Sequence, residues 1–230
     1  GPNNPDLGYP NFQAGYTREF YEGYYGENYA DGEDPKFWPR AAVFLQCAEN
    51  MEFTRNSFTK LGGAGFWAKY GIRNLRVEGN VFNDISQNGC IIGYTFNRKD
   101  APVEYVKVKN NYIHNIGFEY LGCIPIVVGY TAFTEVSHNE IFDCGYTGIS
   151  LGWGWNNHNS PNWKVDPEND ELRKTNPVST WKNVIANNRI YNFMAEMDDG
   201  GGIYCLGPNP LLQVTGNHVS HAIHNGSMTR

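Results

Sequence analysis

The stretch Val108-Lys-Asn-Asn111-Tyr-Ile113 places an apolar residue, two others, an asparagine, one other and a second apolar residue in a row. Five more copies follow the same rule: Phe53-Thr-Arg-Asn56-Ser-Phe58, Val77-Glu-Gly-Asn80-Val-Phe82, Val136-Ser-His-Asn139-Glu-Ile141, Ile185-Ala-Asn-Asn188-Arg-Ile190 and Val214-Thr-Gly-Asn217-His-Val219. Their asparagines stand 24, 31, 28, 49 and 29 residues apart. Self-similarity at this period marks chains that stack one short structural unit on the next, because no single unit can bury its apolar face alone. It also accounts for the 28 asparagines in the 230 residues.

About ten residues after each of the first five asparagines comes a second signal, glycine beside a short apolar run: Gly65-Phe-Trp-Ala, Gly89-Cys-Ile-Ile-Gly, Ile124-Pro-Ile-Val-Val-Gly129, Gly148-Ile-Ser-Leu-Gly152 and Gly202-Ile-Tyr-Cys-Leu-Gly207. Short β-rich runs broken by Gly and Asn, with no helical period, predict coils of strands and turns. The fold expected is all-β, a right-handed parallel β-helix, or solenoid. Gly and Asn supply the left-handed backbone that its turns need. Asn56, Asn80, Asn111, Asn139, Asn188 and Asn217 are expected to stack as a side-chain amide ladder.

Two segments depart from the repeat. Residues 1–41 are rich in Tyr, Gly and acids and show no period, which predicts an irregular arm packed on the solenoid; residues 42–230 then hold about six coils. The long fourth interval places an inserted loop at residues 153–181, and such insertions often build binding sites. The chain opens on Gly1-Pro2 and stops as a seventh coil would begin, so it reads as a piece of a longer protein or as one capped by a partner.

Charge narrows the partners. Lys+Arg number 18 against 24 Asp+Glu, a formal net charge of −6, and a phosphate-backbone reader needs the opposite sign. Nucleic acid is not expected. No apolar run approaches the ~18 residues of a membrane span. Five scattered cysteines with no paired spacing read as buried free thiols.

Chemistry gathers around Met197-Asp198-Asp199-Gly200-Gly201-Gly202-Ile203-Tyr204. Aligning Gly148-Ile149 with Gly202-Ile203 puts Asp199 over Gly145 and Asp198 over Cys144, and brings Asp143 within two residues on the neighbouring coil. With coils ~4.8 Å apart and two residues adding ~6.6 Å, the backbones sit roughly 8 Å apart. Two carboxylates at ~5 to 9.5 Å are what glycoside hydrolysis requires, one protonated and one ionised. The glycines would let a sugar approach the backbone. Taken alone, Asp-Asp-Gly is an ordinary turn and Asp143 a corner cap. Trp153, Trp155, Tyr146, His158 and Tyr204 are the aromatic candidates for sugar contact. The histidines are too dispersed for zinc, and Asp166, Glu168, Asp170 and Glu171 read as a solvated acidic loop rather than a calcium site. No metal or cofactor is expected.

Asp143-Cys-Gly-Tyr-Thr-Gly-Ile-Ser-Leu-Gly-Trp-Gly-Trp155, then Asn188-Arg-Ile-Tyr-Asn192 and Asp199-Gly-Gly-Gly-Ile-Tyr-Cys-Leu-Gly207, resemble bacterial β-helix proteins of glycoside hydrolase family 141. Phe12-Gln-Ala-Gly-Tyr16 and Trp38-Pro-Arg-Ala-Ala-Val43 resemble them too, so the likeness covers nearly the whole chain. It implies action on plant cell-wall glycans, with fucosidase and xylanase activities. It also implies catalytic acids at Asp143 and Asp199, with Asp198 the alternative to Asp199. Members of that family usually carry more β-helix on both sides, and many have a shorter loop after the tryptophans. The expected function is therefore a secreted or periplasmic bacterial glycoside hydrolase acting on a plant or host polysaccharide. The alternatives are a polysaccharide lyase on the same fold and a non-catalytic carbohydrate-binding solenoid.

Overall fold

Sixteen β-strands and no helix make up the secondary structure of the described residues, which in this computed structural model are 41–93, 101–152, 180–197, 199–207 and 209–223. No helix among them is long and apolar enough to cross a membrane. All strand pairings are parallel. One sheet has six strands, side by side in chain order: β2 (Ser57–Leu61), β4 (Val81–Ile85), β7 (Tyr112–Ile116), β10 (Glu140–Cys144), β13 (Arg189–Phe193) and β16 (His218–Ala222).

The second sheet has ten strands in two wings. The long strands β1 (Ala41–Thr54) and β3 (Ala64–Glu78) run through both wings. Beyond β3 one wing continues with β5 (Cys90–Ile92), β8 (Ile126–Val128), β11 (Ile149–Gly152) and β14 (Ile203–Leu206). The other continues with β6 (Val103–Lys109), β9 (Glu135–Ser137), β12 (Val184–Ala186) and β15 (Gln213–Thr215). The chain thus passes through one wing, the other wing and the six-stranded sheet, then returns one strand further on. Six such rungs stack.

The repeat motif explains why. Val77, Val108, Val136 and Ile185 pair in register from rung to rung and are fully buried, as are Phe82, Ile113, Ile141 and Ile190 in the six-stranded sheet. Each such side chain contributes roughly 1.5–3 kcal/mol by leaving water. Between the two sheets runs the amide ladder. The backbone N–H of each asparagine donates to the side-chain oxygen of the next, from Asn56 to Asn80, Asn111, Asn139, Asn188 and Asn217, at 2.9–3.0 Å. Asn139 and Asn188, 49 residues apart, join as closely as neighbours with ordinary spacing. The ladder therefore keeps one register on either side of this long interval.

One detail differs from expectation. The left-handed residue of this turn stands just before the ladder asparagine and is not confined to Gly and Asn: Arg55, Gly79, Asn110, His138, Asn187 and Gly216 have φ between 54° and 67°. The asparagine is left free to spend its side chain on the neighbouring rung. Cys90, Cys123 and Cys144 are buried free thiols as expected, whereas Cys47 and Cys205 are exposed. The arm expected at residues 1–41 and the loop expected at 153–181 lie outside the described residues, apart from Ala41, which opens β1, and Thr180 and Trp181, both buried.

Candidate functional site

Asp143 is the fourth residue of β10, half-buried, in the left-handed region at φ 49°. It belongs to a column. Lys60, Asp84, Asn115, Asp143, Asn192 and His221 occupy matching places in the six rungs, each four residues after its ladder asparagine, and all have φ between 49° and 57°. The bend at the end of each strand demands that conformation, so it is a property of the scaffold rather than local strain. The Asp143 carboxylate is oriented by the rung above, where Asn192 Nδ2 donates to Oδ1 at 2.9 Å.

Asp199 precedes β14, at the corner that leads out of the six-stranded sheet. Ile149 pairs with Ile203, as the glycine alignment expected. The corner between is longer than expected, however: from the pair Phe142/Tyr191 to the pair Ile149/Ile203, six residues intervene in the lower rung and eleven in the upper. Gly145 is consequently covered by Glu196 and Met197, whose amides donate to its carbonyl at 2.8 and 3.1 Å, and not by Asp199. Asp199 lies further along, over Tyr146. The buried Tyr146 hydroxyl donates to the Asp199 backbone carbonyl, and the Tyr204 hydroxyl reaches Asp199 Oδ1 at 3.5 Å. Backbone and carboxylate of Asp199 are thus held by two different tyrosines, with the residue itself exposed.

The glycines after Asp199 serve packing more than access. A Cβ at Gly200 would meet Thr147 Oγ1 and Tyr146, and one at Gly202 would meet Val219 and Phe193; at Gly201 the nearest atom would be Ile203 O at 3.4 Å. Only Gly201 leaves room beside the acid, a narrower opening than the three glycines suggested.

Asp143, Tyr146, Asp199 and Tyr204 therefore border one pair of stacked corners. Asp198, Trp153, Trp155 and His158 lie outside the described residues. Three features had not been anticipated. Asn192 orients Asp143, and the signal was available, since it stands four residues after Asn188. Glu196 adds an exposed carboxylate over Gly145, a consequence of corner length that no motif announces. Finally, His114, Phe142 and Tyr191 form a column of stacked rings beside Asp143, with centroids 4.8 and 5.0 Å apart and planes within 5°. Burial lowers the His114 pKa below its usual 6.5, with the Asp143 charge pulling the other way. Among the described residues no group of three His, Cys, Asp or Glu could hold a metal ion.

The fold has a counterpart of known structure. The chain is similar to a glycoside hydrolase. The two superpose with a TM-score of 0.70 at 29% sequence identity over 82% of this chain, and the chain spans 30% of that protein's length. No family model and no curated protein matches the chain.

Proposed function

We propose that the stacked rungs form a right-handed parallel β-helix and that its corner at Asp143 and Asp199 is a glycoside hydrolase site. The observation that supports this reading is that two stacked corners each carry an aspartate whose carboxylate is hydrogen-bonded by a side chain of the protein, Asn192 for Asp143 and Tyr204 for Asp199. A carboxylic acid on one side donates its proton to the glycosidic oxygen as the bond to the anomeric carbon breaks. The carboxylate on the other side attacks that carbon or activates the water that does. Tyr146, buried with its hydroxyl committed to Asp199, serves as support. Tyr204, half-exposed, can offer its ring to a sugar. Trp153, Trp155 and His158 are the further residues proposed to contact sugar, and Asp198 is the alternative to Asp199 as the second acid. The substrate is an oligo- or polysaccharide of plant or host origin, met outside the cytoplasm. The likeness to a glycoside hydrolase supports the reaction class.

The test is turnover of a panel of plant cell-wall and host glycans by Asp143→Asn, Asp199→Asn and Asp198→Asn, with Asp84→Asn as control. Asp84 shares the left-handed column with Asp143 and lies beneath a corner of the same eleven-residue length, but Gly122 stands at the place in that corner that Asp199 takes here. Loss of general acid–base action predicts a fall of about 10²–10⁴-fold for the two catalytic positions and none for Asp84. If Asp198→Asn falls and Asp199→Asn does not, the second acid is Asp198. Unchanged turnover in all four would sink the hydrolase mechanism. A second reading, a non-catalytic carbohydrate-binding surface, is favoured by one observation: the conformation of Asp143 recurs in every rung. It requires glycan binding without any turnover.

A further inference from the structure

Five buried side-chain atoms have no hydrogen-bond partner among the described residues: Gln87 Oε1, Thr134 Oγ1, Ser150 Oγ, Trp181 Nε1 and Asn209 Oδ1. Each works against folding, since its bonds to water are given up and not replaced. Two of them meet at β11. Ser150 points away from the core, because its neighbours Ile149 and Leu151 are fully buried within it and successive strand residues alternate. In the three rungs below, its place is held by Val127, Ile91 and Trp67, each 2–3% exposed. A serine in that apolar column is not what the stack asks for. Two residues on, roughly 6.6 Å along the strand, Gly152 has φ 84°, and a Cβ there would meet the two polar atoms of the Asn209 amide at 3.1 and 3.2 Å. The Asn209 nitrogen donates to Gly207 O at 2.9 Å, so the oxygen is the end left without a partner.

This pair adjoins the proposed site. In the rung above, Ser150 pairs with Tyr204, whose hydroxyl reaches Asp199 Oδ1 at 3.5 Å. We infer that Ser150 Oγ and Asn209 Oδ1 form a binding subsite for the hydroxyl groups of a neutral sugar, on the β11 side of the Asp199 corner. The inference deepens the reading of that corner as a glycan site and rests on it for the kind of ligand. The chemistry follows from what each atom can donate and accept. An amide oxygen only accepts and a serine hydroxyl does both, so the pair suits a ligand that brings O–H donors. A uronate carboxylate only accepts, and it would set its charge against the Asn209 oxygen and the Asp199 carboxylate. A site whose buried polar atoms depend on the ligand's hydroxyls for their bonds also rejects analogues that lack them. Neither atom is open to solvent, and the half-exposed Tyr204 above Ser150 is the wall that gives way to the sugar.

The experiment titrates the 230-residue chain with xylose, glucose and galactose, and with glucuronate and galacturonate, and follows the amide resonances of Ser150, Tyr204 and Asn209. At least one neutral sugar should shift these amides saturably, and the uronate of the same ring should bind more weakly. Ser150→Ala and Asn209→Ala should each weaken the neutral sugar by about three- to tenfold, the worth of one lost hydrogen bond. Ser150→Ala should also raise the urea midpoint, because it removes a hydroxyl that the free protein does not pair. A lowered midpoint would show that the hydroxyl holds the fold, and it overturns the inference. Unchanged affinity in folded Ser150→Ala does the same, as does a uronate that binds as tightly as its neutral counterpart, or the absence of any saturable shift. The hydrolase reading is decided separately. Turnover lost in Asp143→Asn and Asp199→Asn, with sugar affinity intact in Ser150→Ala, keeps the hydrolase and refutes the subsite. Weakened binding in Ser150→Ala, with no turnover by any form, keeps the subsite and refutes the hydrolase.

Discussion

Asn139→Ala is the sharpest test of what holds the rungs together. The side chain is 1% exposed and makes four hydrogen bonds. It accepts from Asn111 N and Nδ2 at 3.0 and 2.9 Å, and donates to Val108 O and Asn188 Oδ1, both at 2.9 Å. Alanine leaves the buried Asn111 N–H with no acceptor, a desolvation cost of about 1–3 kcal/mol, and each of the other bonds carries roughly 0.5–1.5 kcal/mol net. Part is recovered, because Asn111 Nδ2 keeps Val77 O and Asn188 Oδ1 keeps Asn139 N–H. The expected loss is therefore about 3–5 kcal/mol, a large share of the ~5–15 kcal/mol that stabilises a domain. At the half-exposed end of the ladder Asn217→Ala should cost about 1–2 kcal/mol, since water can take over its bonds. Urea unfolding followed by circular dichroism measures both. With m near 2 kcal/mol/M, the Asn139→Ala midpoint should fall by about 1.5–2.5 M at constant m. A cost below about 1 kcal/mol, or one equal to that of Asn217→Ala, would refute a ladder that carries stability. Asn139→Asp should be no better, because a carboxylate cannot donate to Val108 O.

The core makes a parallel prediction: Ile185→Ala should cost about 2–5 kcal/mol and Val214→Ala, at the same register position but half-exposed, less than about 1 kcal/mol, with equal losses in urea unfolding speaking against the register. His114 carries a pH dependence. Its folded pKa lies below the ordinary 6.5, through burial, so folding favours the neutral ring. The stability this supplies is complete above pH 6.5 and is lost as pH falls through the lowered folded value. His114→Gln should flatten that acid limb, and Asp143→Asn, which removes the opposing charge, should enlarge it; denaturation midpoints between pH 5 and 7.5 decide. Thiol labelling with peptide mapping should find Cys47 and Cys205 reactive in the folded protein and Cys90, Cys123 and Cys144 reactive only on unfolding. Burial pushes the Cys144 thiol up to about 12, with the Asp143 charge adding to it, and native-state labelling of any of the three would contradict the packing.

What could be read from the sequence follows from how tightly each position is constrained. The ladder was legible because one kind of group must fill it: a side-chain amide accepts two bonds from the rung below while donating one back to it and one to the rung above, and a hydroxyl has only one hydrogen to donate. Apolar neighbours in Val77 and Phe82 or Val136 and Ile141 fixed its register, and the 49-residue interval could be recognised as an excursion because the ladder had to resume at Asn188. The left-handed position was not legible, since Arg55, Gly79, Asn110, His138, Asn187 and Gly216 share a conformation but no composition. Corner length was hidden for a related reason. Gly148 and Gly202 fixed where the next strand starts, but nothing in Met194 to Gly202 says how many residues pack inside the turn and how many bulge. The alignment accordingly set Asp199 over Gly145, where Glu196 and Met197 stand.

That bulge gives the corner its chemical character. In the left-handed column the scaffold asks only for a conformation, and lysine, aspartate, asparagine and histidine all satisfy it. An acid at Asp143 is therefore not imposed by the fold, and neither is the asparagine above it that donates to its carboxylate. The five extra residues of the next corner then carry Asp199 away from the stack and over Tyr146, whose hydroxyl fixes the backbone while Tyr204 reaches the carboxylate. A stack of identical corners would offer only a stripe of repeated polar groups. One corner longer than the next brings unlike groups to the same edge, and the opposed roles proposed for the two carboxylates rest on that asymmetry.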